Sequence, residues 1–426
     1  MSSREEIQVD WLTIVLYAIL VILGWANIYA ASYKIGQEAS IFSLDLESGK
    51  QLLWIGTAVV IITVLMLLDF KFYDFIAYIL YGLFIAMLVG VLLFGVKKGG
   101  AQSWFELGGF RLQPSEFAKF ATALAVAKYI GNTNGFRFSQ FSHLVIVAGI
   151  VLLPMGLILL QPDAGTVLVY SSFILVFYRE GLHPIVLWIL ITAIVLFILT
   201  LAVENQITLF YGVGALAAII MAFIYWRRKT FNRTMLIVFG IAIVVCGYIL
   251  SVDYLFKNVL QPHQQKRILV TLNLMQDPRG VGYNLDQSKQ TIGSGGLWGK
   301  GFLEGERTQE GWVPEQSTDF IFTTLAEEHG WIGTTLVISL FVVLILRLMM
   351  LADRQKSRFA RVYGYGVVSI LFFHLMINVG MTIGLFPVVG IPLPFFSYGG
   401  SSLWSFTVLV FILIKLDAHR GQVLMR

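Results

Sequence analysis

Three short stretches put a proline and then an acid where an apolar helix would begin: QPSEFAK (113–119), QPDAG (161–165) and PEQSTDF (314–320). Local chemistry gives their carboxylates, Glu116, Asp163, Glu315 and Asp319, two readings. In one they finish helix ends: Pro suits the first turn, Ser115, Asp163, Ser317 or Thr318 can accept from free backbone N–H groups, and acids favour the positive helix end. In the other, a carboxylate held partly desolvated at the lip of a cavity has its pKa raised toward that of a useful general base. Asp319 is the sharpest case. Its segment, 318–329, lies between Pro314 and the charged EEHG (327–330), and a full apolar run begins only at Trp331. It is therefore expected on a short interfacial helix ahead of the span. Glu116 and Lys119, three residues apart, share a helix face. A lysine one turn below a membrane surface is a functional candidate with Glu116 as partner, although snorkelling to the headgroups also explains it. Arg111, Arg267, Lys289, Lys300 and Arg307 could meet a phosphorylated headgroup and stabilise a departing diphosphate. Each one singly also reads as a solvated loop charge.

The elements that must position these groups are membrane helices. The chain has 426 residues, is 57% hydrophobic and only 13% charged, with a mean hydropathy of +0.79. Apolar runs fall at about 11–31, 51–68, 72–95, 115–130, 142–160, 164–179, 184–203, 207–226, 233–256, 331–350, 361–385 and 402–416. Runs near 20 residues suit α-helices that satisfy their own backbone bonds in hydrocarbon. The expected fold is thus an all-α polytopic membrane protein of about twelve transmembrane helices, one membrane domain over 1–426. The first run, from Trp11, has no small-residue cleavage pattern after it and reads as a membrane helix. The basic stretches YWRRKTFNR (225–233), RLMMLADRQKSRFAR (347–361) and KLDAHR (415–420) mark the cytoplasmic side, which also takes both termini. That puts QPSE, QPD and the stretch 257–330 outside, the last as one large extracytoplasmic loop whose Gly and aromatic content argues for structure. The net charge of +5 is gathered between helices, so no nucleic-acid partner is expected. A single cysteine, Cys246, rules out an intramolecular disulfide. No His/Cys metal cluster, phosphate loop, dinucleotide fingerprint or nucleophile elbow is present, and the six histidines read as ordinary.

FRLQPSEFAKF (110–120), QPDAGT (161–166), GVGYNLDQSKQTIGSGGLWGKGFLEG (280–305), PEQSTDFIFTTLAEEHGWIG (314–333) and the stretch from Asn378 through GLFPVVGIPLPFFSYGGSS (384–402) span most of the chain. Together they resemble the SEDS family of bacterial shape, elongation, division and sporulation proteins. QSK followed by GSGGLWGKG resembles its RodA branch, the elongation type, rather than the division relative FtsW. The resemblance implies a peptidoglycan glycosyltransferase of the bacterial inner membrane that polymerises lipid II on the extracytoplasmic side. It would work in cell elongation and shape maintenance with a class B penicillin-binding protein as transpeptidase and other elongation-complex membrane proteins. By that resemblance Asp319 matches the family's catalytic aspartate, Glu116 and Lys119 its paired Glu and Lys, and Asp163 its QPD acid. The implied reaction is an inverting transfer with Asp319 as general base. Lys119, oriented by Glu116, would stabilise the leaving diphosphate; Arg111, Lys289, Arg267 and Glu315 would complete the substrate contacts. A divalent cation, magnesium or manganese, could assist. One departure stands out: the family pattern has ten helices, whereas 184–256 holds three runs in place of one, so a two-helix peripheral insertion is expected there. Two rivals remain open, a flippase of lipid-linked precursor and a non-catalytic scaffold of the elongation machinery.

Overall fold

Apolar runs close their own hydrogen bonds, and the computed structural model of this chain is accordingly mostly helical. It describes residues 8–34, 40–98, 101–107, 110–203, 205–230, 232–260, 262–272, 274–275, 277 and 280–421. All twelve apolar runs are helical, and among the described residues ten helices are long and apolar enough to cross a membrane. The chain packs as two compact units, Met1–Leu182 with Asn284–Arg426, and His183–Tyr283.

The first unit opens with α1 (Trp11–Ser32), α2 (Glu47–Leu67) and α3 (Phe70–Phe94). A small antiparallel sheet follows, β1 (Val96–Lys98), β2 (Ala101–Leu107) and β3 (Phe110–Leu112), with Glu106 opposite Arg111. The all-α expectation omitted this sheet. Its signal was two Gly-Gly pairs, at 99–100 and 108–109, dividing three short runs as hairpin turns do. Next come α4 (Pro114–Asn132), α5 (Phe141–Leu160), α6 (Ala164–Tyr170) and α7 (Phe173–Arg179). The second unit contains α8 (Ile185–Ala202), α9 (Gln206–Arg228), α10 (Arg233–Asn258) and α11 (Pro262–Thr271), with α10 packed on α8 and α9. The chain then runs through α12 (Val281–Ser294) and the single turn α13 (Glu306–Gln309) into α14 (Ile321–Asp353), α15 (Arg358–Ile383) and α16 (Gly400–Ala418).

α4 and the α6–α7 pair are the two runs that fall outside the ten. Both carry the site's charges or its breaks rather than an unbroken apolar surface. α4 is buried on every side along residues 118–127, packed against α3, α5, α15 and α16. Small residues let α15 approach it: a Cβ on Gly366 would lie 3.1 Å from that of Ala123, and one on Gly131 2.8 Å from Phe359 Cα.

α14 is broken at Gly330 (φ 61°, ψ −161°), so residues 321–329 form a short helix ahead of the span, as the position of Trp331 predicts. A break orphans backbone groups, and here the GSGGLWGKG loop (293–301) takes them. Lys300 N donates to Glu327 O and Gly301 N to Glu328 O, both 3.0 Å, while Trp331 N and Ile332 N donate to Gly296 O and Leu297 O at 2.9 and 3.1 Å. The buried Glu327 carboxylate fastens the same loop, accepting from Lys300 Nζ (2.9 Å), Thr308 N and Thr308 Oγ1 (both 2.8 Å). At the far end of α14, Arg347 donates to Asp10, the N-cap of α1, and Arg354 to the buried Asp417 of α16, tying three helices by charge.

Candidate active site at the Asp319 turn

Asp319 lies not on the short helix but in the turn before it, two residues ahead of Ile321. Glu315 takes a left-handed φ of 54° and its carbonyl accepts from Thr318 N and Phe320 N, which closes the turn and delays the helix start. The Glu315 carboxylate is exposed and accepts from Thr318 Oγ1 at 3.1 Å. The N-cap position of α14 is Phe320, which supplies no side-chain cap hydrogen bond.

What surrounds Asp319 is the loop between α15 and α16. Its carboxylate lies against Gly390: a Cβ there, at φ 66°, would come within 3.1 Å of Asp319 Oδ2. The loop also grips the turn, with Tyr398 N donating to Ser317 O (2.9 Å) and Ser397 Oγ to Thr318 O (2.6 Å). From below, Asn378 Nδ2 donates to Asp319 O at 2.9 Å and to Ile391 O at 2.8 Å. Gly165 on α6 admits the same loop, since a Cβ would meet Val389 O at 2.6 Å.

One turn back from Asn378 along α15, His374 joins this loop to α4. Its Nδ1 contacts Pro392 O at 3.1 Å and its Nε2 contacts Lys119 Nζ at 2.8 Å. A carbonyl only accepts, so Nδ1 carries the proton and Nε2 accepts from the lysine. Lys119 also donates to both Glu116 oxygens at 3.0 Å and lies 4.9 Å from the centroid of Phe406. Glu116 and Lys119 therefore do pair, but their side chains are only 3% and 1% exposed.

Asp163 does cap: its Oδ1 accepts from Thr166 N at 3.0 Å at the start of α6. Its Oδ2 takes Thr166 Oγ1 (2.8 Å) and Gln113 Nε2 (3.1 Å), fastening the entry of α6 to that of α4. The cations divide. Arg111, exposed, pairs with Glu106 at 3.3 Å, and its carbonyl accepts from Ser401 at the start of α16. Lys289 is exposed, and its Nζ would be 2.6 Å from a Cβ on Gly384, at the C-terminal end of α15 where a positive charge is favoured. Arg267 belongs to α11 of the other unit. Lys300 donates to Glu327 beside the α14 break, as does Arg307 through its backbone N, while the Arg307 guanidinium donates to Gln287 and Gln290 of α12. The site thus gathers Asp319, Glu116, Lys119 and Asp163 around residues 389–398, together with His374 and Asn378, which sequence reasoning passed over. Their signal was a polar pair at i, i+4 inside an apolar run, one face of one helix. Among the described residues no three His, Cys, Asp or Glu side chains are grouped to hold a metal. A divalent cation here would draw most of its oxygens from substrate phosphates and water.

Comparison with known proteins follows this geometry. The profile of the FtsW/RodA/SpoVE cell cycle proteins matches residues 10–212 and 186–422. Peptidoglycan glycosyltransferase RodA of Treponema pallidum (strain Nichols) is 31% identical over 99% of this chain and 100% of its own. Peptidoglycan glycosyltransferase MrdB of Escherichia coli (strain K12) is 33% identical, covering 87% of this chain and 85% of its own. A chain from a solved structure, described as the structural coordination of polymerization and crosslinking by a peptidoglycan synthase complex, superposes with a TM-score of 0.69. It is 25% identical and covers 97% of this chain and 99% of that one.

Proposed function

Because the chain belongs to the FtsW/RodA/SpoVE family of cell cycle proteins, we propose that it is a peptidoglycan glycosyltransferase of cell elongation and shape maintenance. It polymerises lipid II at the outer face of the bacterial cytoplasmic membrane, with Asp319 as general base. The observation that supports this assignment of the base is the setting of Asp319: its carboxylate lies against Gly390 on a loop anchored by Asn378 and His374. Asp319 takes the proton of the acceptor sugar hydroxyl as that oxygen attacks the anomeric carbon of the lipid-linked donor. The carbon–oxygen bond to the diphosphate breaks with its electrons leaving on the diphosphate, and the anomeric configuration inverts.

Lys119 is sealed between Glu116, His374 and Phe406, so in this arrangement it acts by holding α4, α15 and the loop in register. Exposed cations, Arg111 and Lys289, are left to meet the diphosphate charge. The twelve helical runs would place both termini in the cytoplasm and the Asp319 end outside. Two of α8, α9 and α10 would be the insertion; the family profile matches in two pieces that overlap over residues 186–212, in α8 and α9, which supports this. A class B penicillin-binding protein is the expected transpeptidase partner, in keeping with the synthase complex whose chain this one resembles.

The test is purified protein, with its transpeptidase partner, on labelled lipid II. Glycan polymer is expected from the wild type. Asp319→Asn should lower the rate at least ~100-fold, the scale of a lost general base, while folding and lipid II binding persist. Polymer made by Asp319→Asn at the wild-type rate removes Asp319 as the base. A transporter reading draws on the two interrupted helices, α6–α7 and α14. Transbilayer movement of lipid II without polymer would favour it.

A further inference from the structure

At the end of the bundle opposite Asp319, where α7 and α14 finish and α15 begins, lies a cavity of about 520 Å³ whose lining includes Arg179, Arg358, Arg361, Glu180, Asp353 and Tyr365. Basic residues at a helix end are ordinarily solvated orientation signals, but these are built into place. The Glu180 side chain is 3% exposed and accepts from Arg358 Nε at 3.0 Å and Arg361 Nε at 3.1 Å. Arg179 is held by its Nε on Tyr365 Oη and by Nη2 on Asp353, both at 2.9 Å, with its guanidinium 5.3 Å from the Tyr365 ring centroid. Arg358 rests over Phe136 at 5.1 Å. Fixed by their Nε edges, the guanidiniums keep terminal N–H groups uncommitted: among the described residues Arg358 uses neither terminal amino group, and Arg179 and Arg361 each leave one unused. Three guanidinium charges against two carboxylates leave one net positive charge in the ring.

We propose that this cavity binds the phosphodiester of an anionic phospholipid. Planar forks of N–H groups match phosphate oxygens, and a single negative charge brings the ring to neutrality. The depth favours a lipid over a soluble anion, since α14 and α15 are both long and apolar enough to cross a membrane and the cavity sits at their polar ends. Apolar surface for acyl chains adjoins it: Tyr178, next to Arg179, is 47% exposed, and Met350, one turn before Asp353, is 56% exposed. Basic pockets between helices on this side of a membrane are a recurrent headgroup site. The proposal does not depend on the glycosyltransferase reading.

Delipidated wild-type protein titrated with phosphatidylglycerol and with phosphatidylcholine, bound lipid being counted by native mass spectrometry, tests it. Phosphatidylglycerol should bind more tightly than phosphatidylcholine. Arg358→Lys, which keeps a cation on Glu180 but loses the fork, should weaken phosphatidylglycerol binding ~10-fold, the worth of one charge-assisted bond, while the lipid-free melting temperature holds. Equal binding of the two lipids, or undiminished binding by the variant, overturns the proposal. Inorganic phosphate that raises the melting temperature as much as phosphatidylglycerol does overturns the lipid as occupant. Should Arg358→Lys not fold, the comparison of the two lipids on the wild type decides alone.

Discussion

Lys119, at 1% exposure, has three acceptors arranged around it, two oxygens of Glu116 and one nitrogen of His374. Removing one partner of such a pair strands the other, so Glu116→Gln or Lys119→Met alone should lower unfolding free energy by about 3–5 kcal/mol in detergent. Replacing both together should recover most of that loss, because no uncompensated charge remains; a double variant as unstable as the sum of the singles would show that the residues act independently. The i, i+3 spacing made this pair legible, and Asp163 was legible as a cap from its place before AGT. His374 was not, because its i, i+4 pairing with Asn378 marks a polar face of α15 without saying what that face meets. Its meaning comes from Pro392, eighteen residues on, and from Lys119 on another helix, contacts that exist only once α4 and α15 have packed.

Among elements, α14 is where sequence and structure part most usefully. The apolar run from Trp331 set the start of the span, and the EEHG stretch marked a change before it, but nothing local says that the break is filled by a loop thirty residues upstream. Gly330 is required twice: its φ and ψ lie where essentially only glycine is at ease, and a Cβ would come 2.6 Å from Leu297 O. Gly330→Ala should therefore cost at least ~1–3 kcal/mol from backbone strain alone, read as a lower melting temperature and a smaller folded yield. Gly149→Ala on α5, where a Cβ meets nothing within 4 Å, should be neutral or stabilising by up to ~1 kcal/mol. Equal behaviour of the two variants would mean that the break tolerates a side chain. The small sheet ahead of α4 shows the opposite limit: hydropathy is blind to a hairpin of short strands, although its Gly-Gly pairs stand in the sequence.

At the scale of the molecule, hydropathy made the helices legible because membrane helices need only length and apolarity, while the assembly of their ends rests on scattered charges. The Asp10 carboxyl is pushed up by burial, but hydrogen bonds from Arg347 and Thr13 outweigh this and hold it below the usual aspartate range. A folded-state value below the unfolded one stabilises the fold above the ordinary aspartate pKa of about 4, and the gain is lost as pH falls through the lower folded value. The melting temperature should thus drop on acidification below about pH 4, and Asp10→Asn, less stable at neutral pH, should show a shallower drop. If two of α8, α9 and α10 are an insertion, a chain lacking residues 184–232 keeps the direction of every later helix and should still polymerise lipid II at a rate within ~10-fold of the full chain; loss of polymer from a well-folded deletion would make the pair part of the machinery. The loop that fills the α14 break has the reverse property. Four backbone hydrogen bonds pin residues 296–301 to residues 327–332, so adding one residue there displaces all of them at once. Length itself is fixed at that point, and the chain can change size only where no other segment is counting its residues.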